Sequence, residues 1–194
     1  MHKTLMATLL AGSVINVWAQ EASAQSFPSL YIGAALGQSN VNLDCEGTSR
    51  CERSDTGAKV LVGVALTPMV AMEAAYVDFG TARARAQVAG DTVDLSLKAS
   101  GWLGALAVRH EFHPQLHGVL RVGASALKAN LTIAGSAAST RQTGNAVKPY
   151  VGLGLEFTPI SELQVIGGLD VTRARVDGDS GTLRLLSIGL QYRY

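Results

Sequence analysis

The stretch Ser187-Ile188-Gly189-Leu190-Gln191-Tyr192-Arg193-Tyr194 alternates large apolar side chains with small or polar ones. On a strand, Leu186, Ile188, Leu190, Tyr192 and Tyr194 share one face and Ser187, Gly189, Gln191 and Arg193 the other, so one side suits hydrocarbon and the other water. The same period of two recurs along the chain and predicts eight strands. They run from about Leu30 to Ser39, Gly57 to Thr67, Val70 to Ala84, Thr92 to Phe112, Leu116 to Leu131, Ala146 to Thr158, Glu162 to Ala174 and Thr182 to Tyr194. The sixth is the cleanest. Val147, Pro149, Val151, Leu153, Leu155 and Phe157 alternate with Lys148, Tyr150, Gly152, Gly154 and Glu156, a placement no helix gives. In the second, Val60, Val62, Val64 and Leu66 face out and Lys59, Leu61, Gly63 and Ala65 face in.

The connections differ in length. Thr67-Pro68-Met69, His113-Pro114-Gln115 and Thr158-Pro159-Ile160-Ser161 are tight and carry proline, whereas Asn40 to Thr56, Arg85 to Asp91, Thr132 to Asn145 and Arg175 to Gly181 are longer and polar. Short turns at one end and long loops at the other predict an all-β fold, an eight-stranded antiparallel up-and-down transmembrane β-barrel with its turns in the periplasm. A soluble sandwich or lipocalin-like barrel would need its other faces to cover a solvent exterior, and those are glycine, alanine and a few charges, which suit a narrow lumen. Two places resist the pattern. The fourth strand changes parity near Ala99 to Gly101, predicting a bulge or an extension beyond the membrane, and Asp78 is expected above the membrane or after a bulge.

The start of the chain sets the compartment. His2 and Lys3 precede an apolar run from Leu5 to Ala19 and the small-residue site Ala22-Ser23-Ala24, which predicts a signal peptide over 1–24 and a barrel domain over 25–194. Val17-Trp18-Ala19 is a second possible cut site. Hydrophobic content of 47% is dispersed by alternation, and no later stretch reaches the ~20 apolar residues of a spanning helix. The formal net charge of +1 is scattered, which argues against nucleic acid as a partner. Cys45 and Cys51 lie in a polar segment of an exported chain, so a local disulfide is expected and a metal site is not.

Tyr31-Ile32-Gly33-Ala34-Ala35-Leu36-Gly37, the stretch Gly63 to Tyr76 with Pro68 and Met72-Glu73-Ala74-Ala75-Tyr76, the strand Val151-Gly152-Leu153-Gly154-Leu155-Glu156-Phe157 and the ending Ser187 to Tyr194 together resemble the OmpA-type transmembrane domain and other small outer-membrane barrels. The resemblance covers nearly all of 25–194. It implies residence in the outer membrane of a Gram-negative bacterium, contact with its lipid, delivery by periplasmic chaperones and the assembly machinery, a monomer, and no cofactor. It also implies an assembly signal carried by Ser187, Gly189, Tyr192 and Tyr194. Where the family's seventh strand often presents a lumenal arginine, this chain offers Ile166, so the usual internal ion pair does not carry over intact. A peptidoglycan-binding module is not expected, and cell-wall anchoring is not implied.

By parity the lumen receives Glu73, Arg109, Arg121, Glu156, Asp170 and Arg193. Buried charges are tolerable when paired, so these six are expected to form a network that either holds the barrel together or gates a small pore. Glu73 and Glu156 are expected to pair with Arg121 or Arg109. Catalysis at the outer leaflet is not expected, because His110, His113 and His117 cluster at a periplasmic turn. The expected role is structural or weakly pore-forming. The alternative is a surface adhesin or ligand-binding barrel, with Glu46, Arg50, Glu52 and Arg53 presented to a ligand.

Overall fold

A computed structural model describes residues 28–42, 48–88, 91–134, 139–176 and 179–194. The predicted signal segment and Cys45, one partner of the expected Cys45–Cys51 bond, lie outside them.

The strands are β1 (Ser29–Val41), β2 (Thr48–Glu52), β3 (Ser54–Ala65), β4 (Val70–Val88), β5 (Asp91–His113), β6 (Leu116–Ala134), β7 (Ser139–Ile160), β8 (Leu163–Val176) and β9 (Asp179–Arg193). Each pairs antiparallel with its neighbours, and β1 against β9 closes the ring from Tyr31↔Arg193 to Val41↔Leu183. β2 meets β4 above the point where β3 leaves it, with the interruption at Arg53. These two segments are one barrel strand, so the fold is a closed eight-stranded antiparallel barrel. Closure leaves no unpaired edge in hydrocarbon.

Outward residues form an apolar band that includes Leu36, Val62, Leu106, Leu153, Leu186 and Ile188, all exposed. Two aromatic pairs lie on this face. Tyr76 and Trp102 stack edge to face at 5.4 Å, and Tyr192 and Tyr194 do so at 4.9 Å near the short turns.

One expectation is corrected. The stretches Arg85 to Asp91, Thr132 to Asn145 and Arg175 to Gly181 are continued hairpins, not long loops, with pairing that reaches Val88↔Asp91, Ala134↔Ser139 and Val176↔Asp179. Runs such as Thr81-Ala82-Arg83-Ala84-Arg85-Ala86 have no breaker, and a two-sided polar ribbon in water keeps its ladder bonds. β5 therefore runs 23 residues, about twice what a bilayer needs. Of the two readings of the fourth barrel strand, the extension holds, and the bulge lies on its neighbour. Ala99, Gly101 and Leu103 all face inward without interruption, and the register slips in β4 between Asp78 and Thr81, opposite Ala99. Gly80, at φ +72°, takes the left-handed conformation there. Asp78 comes just before the bulge, at the top of the outer face, where Lys98 Nζ lies 3.3 Å from its carboxylate.

Candidate functional site

The lumen holds the chain's buried polar chemistry. β4 points Glu73 inward, β5 Arg109, β6 Arg121 and β7 Glu156, all buried. Arg121 Nε lies 2.6 Å from Glu73 Oε2, and Arg109 Nε 2.9 Å from Glu156 Oε2. Arg109 and Arg121 also approach the opposite carboxylates, Glu73 and Glu156, each at 3.5 Å. Each arginine thus touches both acids, and the cluster is neutral. Neutrality and multiple hydrogen bonds offset the desolvation cost of burying four charges. The Tyr31 hydroxyl donates to Glu73 Oε1 at 2.7 Å, and the Arg109 guanidinium lies over the Tyr31 ring at 4.9 Å. Tyr31 fits because its ring occupies the space a Cβ would take at Gly63, while Arg121 lies beside Gly152 and Gly154.

Asp170 stands apart from this cluster. It accepts from Lys59 Nζ at 2.5 Å and from the Tyr150 hydroxyl. Arg193 faces inward, half-buried, at the short-turn end, lining a cavity of about 200 Å³ with Arg109, Glu111, His117 and Glu156. The six residues singled out from the sequence therefore all face inward, yet they fall into a four-charge cluster, a separate Asp170 site and a vestibule arginine. Ile166 is buried opposite Glu156, where the family's arginine was sought, and Arg109 and Arg121 supply the ion pairs from other strands.

Three features were missed. Lys59 was placed inward by parity but not joined to Asp170, and the tyrosines Tyr31 and Tyr150 were not read as partners for carboxylates. The third is an apolar layer above the charges, built from Val77, Phe79, Leu127, Leu183 and Leu185, each at most 3% exposed. Parity was the available signal, since these positions continue the inward face. The space beside Lys59, Glu73, Leu103 and Tyr150 is only about 10 Å³, no more than a single water needs.

Of the assembly-signal residues, Ser187 and Gly189 face the lumen and Tyr192 and Tyr194 the outside. His110 stacks on Phe112 on the outer face, His113 is exposed, and His117 lies in the vestibule. Among the described residues no group of three His, Cys, Asp or Glu is arranged to hold a metal ion. Glu52 and Arg53 are exposed at the long-strand end, and Arg50 pairs through its backbone with Arg85. Glu46 is not among the described residues.

The model of the OmpA-like transmembrane domain matches residues 25–194. The chain belongs to this family. It is therefore a bacterial outer-membrane barrel, and its short turns are assigned to the periplasm and its long hairpins to the outside. The fold is similar to that of Ail, the attachment invasion locus protein of Yersinia pestis, with a TM-score of 0.60, 13% identity, and coverage of 86% of this chain and 99% of that one. Neisserial surface protein A gives a TM-score of 0.58 at 12% identity, covering 85% and 97%. OprG from Pseudomonas aeruginosa gives 0.54 at 13% identity, covering 86% and 96%. No curated protein matches the sequence.

Proposed function

We propose that this OmpA-like barrel is a closed, structural outer-membrane protein of a Gram-negative cell that does not conduct. The observation that carries the reading is the double seal. The neutral Glu73–Arg109–Arg121–Glu156 cluster spans the lower lumen, and the layer of Phe79, Leu127, Leu183 and Leu185 fills the upper. An ion crossing it would shed its water among apolar side chains after displacing paired charges, and both steps are costly. Single-channel recording of refolded protein in planar bilayers tests the reading. A flat trace is expected, and reproducible unitary steps would overturn it.

A second reading, surface binding, is favoured by the hairpins that stand beyond the membrane, of which β5 and β7 at 23 and 22 residues are the longest. The fold neighbour Ail, named for attachment and invasion, has been crystallised with the heparin analogue sucrose octasulfate. Retention of the refolded barrel on immobilised sulfated polysaccharide, lost at high salt, would support an adhesin role. Passage without retention would count against it.

A further inference from the structure

Arg173 in β8 and Arg184 in β9 are both exposed on the outer face. The register Val171↔Arg184 and Arg173↔Thr182 makes them diagonal neighbours, about 7–8 Å apart in an antiparallel pair. Each stands ten positions above the lower border, Arg173 from Leu163 and Arg184 from Tyr194. That many residues in a strand tilted about 40° rise about 25 Å, the height of the apolar band. The two guanidiniums therefore emerge at the level of the outer-leaflet headgroups.

Two other cations on this face, Lys98 and Arg85, have carboxylate partners. Lys98 is bridged to Asp78 at 3.3 Å and Arg85 to Asp94 at 2.6 Å. Among the described residues no carboxylate lies within ion-pair distance of Arg173 or Arg184. The cross-strand neighbours of Arg184 are Val171 and Asn40, and that of Arg173 is Thr182, all uncharged. Two like charges side by side repel unless an anion lies between them. Directly beneath is an apolar track, with Leu169 paired to Leu186, both exposed, and Ile188 opposite Gly167, whose missing side chain leaves a shallow notch.

We propose that Arg173 and Arg184 clamp the phosphate of a phosphorylated lipid of the outer leaflet, whose acyl chain lies along Leu169, Leu186 and Ile188. The planar guanidinium matches phosphate oxygens two at a time, and the track below supplies an apolar contact that a free anion would not use. This inference rests on the outward orientation of the hairpins and is independent of whether the lumen conducts.

The test is lipid retention. The barrel is refolded into phosphatidylcholine nanodiscs doped with a phosphorylated glucosamine-disaccharide lipid or with its dephosphorylated form. Native mass spectrometry then counts the doped lipid that survives transfer to detergent. Wild-type protein should retain the phosphorylated form about tenfold better, the scale of one or two charge-assisted hydrogen bonds. R173Q/R184Q should erase that preference, K128Q should keep it, and millimolar inorganic phosphate should not displace the lipid. If heat-modifiable gel migration shows that the double variant does not fold, each single variant is expected to lose about threefold, half of that effect on a logarithmic scale. Equal retention of both lipids by the wild type, a preference that survives in folded R173Q/R184Q, an equal loss in K128Q, or displacement by inorganic phosphate would each overturn the proposal.

Discussion

Arg121 Nε and Glu73 Oε2 meet 2.6 Å apart across the lumen, although 48 residues separate them in sequence. The contact joins β6 to β4, which are not neighbours in the sheet, so it braces the barrel across its bore as well as along its wall. Both side chains are at most 6% exposed, so neither can be rescued by solvent if the other is lost.

Glu73→Gln should therefore destabilise the barrel strongly, by about 3–5 kcal/mol, the usual cost of leaving a buried charge without its partner. Glutamine can still accept from Tyr31 but leaves the two arginines facing one carboxylate. Denaturant titration in lipid vesicles measures the loss. Conductance is expected to stay at baseline, because Phe79, Leu183 and Leu185 above the cluster are untouched. Wild-type stability in this variant would show that the cluster contributes nothing to holding the barrel.

How much of this could be read from the sequence follows from the period of two. Parity alone assigned inside and outside for every residue of the final strand, and for Val151 against Gly152, because one face of each strand must meet lipid. It could not decide which inward charges meet. Asp170 pairs with Lys59, 111 residues away, and that match depends on barrel stagger, which a single strand does not encode. The bulge could not be placed for a related reason. Its signature is a two-against-one count between strands, and the irregularity near Ala99 belongs to Phe79 and Gly80 on the partner strand. The hairpin extensions were lost because polar alternation looks the same in a loop and in a solvated ribbon.

Gly189 explains itself in the closed ring. A Cβ there would overlap the Ala34 carbonyl oxygen on β1, at the seam where the last strand meets the first. Gly189→Ala should force these backbones apart and lower the yield of the heat-modifiable folded form. Gly104 has nothing within 4 Å of its ideal Cβ, so Gly104→Ala should fold like the wild type. Equal yields from the two variants would mean that close approach at the seam is not needed for closure.

The bulge at the outer rim carries a pH signature. Asp55 Oδ2 accepts from the Thr81 amide at 2.7 Å and Oδ1 from the Thr56 amide at 2.8 Å. These backbone hydrogen bonds, Thr81 first, hold its carboxyl below the usual carboxylate range. A carboxyl depressed in the folded state adds stability above its unfolded value of about 3.9, and that contribution disappears as pH falls through the lower folded value. The Thr81 amide should therefore stay protected from hydrogen exchange near neutrality and lose protection only in strong acid. Asp55→Ala, which removes the acceptor, should expose it at every pH. An acid transition at or above the ordinary carboxylate value would contradict this account.

Tyr194 closes the lower seam. Its amide donates to the Leu30 carbonyl at 2.9 Å, and its ring meets Tyr192 edge to face at 4.9 Å on the outer surface. The backbone bond survives any side-chain change, so Tyr194→Ala removes only the interfacial aromatic, worth about 1 kcal/mol with its partner ring beyond area burial. If the alternating aromatic run also serves as an assembly signal, the variant should reach the periplasm but insert poorly, a loss larger than its stability change explains. Comparing outer-membrane fractionation in cells with refolding of purified protein into vesicles separates the two effects. Gln191→Ala, on the lumen face and bonded to Gln164 at 2.6 Å, is the control, expected to insert normally in cells. Tyr194→Ala inserting as well as that control would leave the tyrosine with a purely interfacial role.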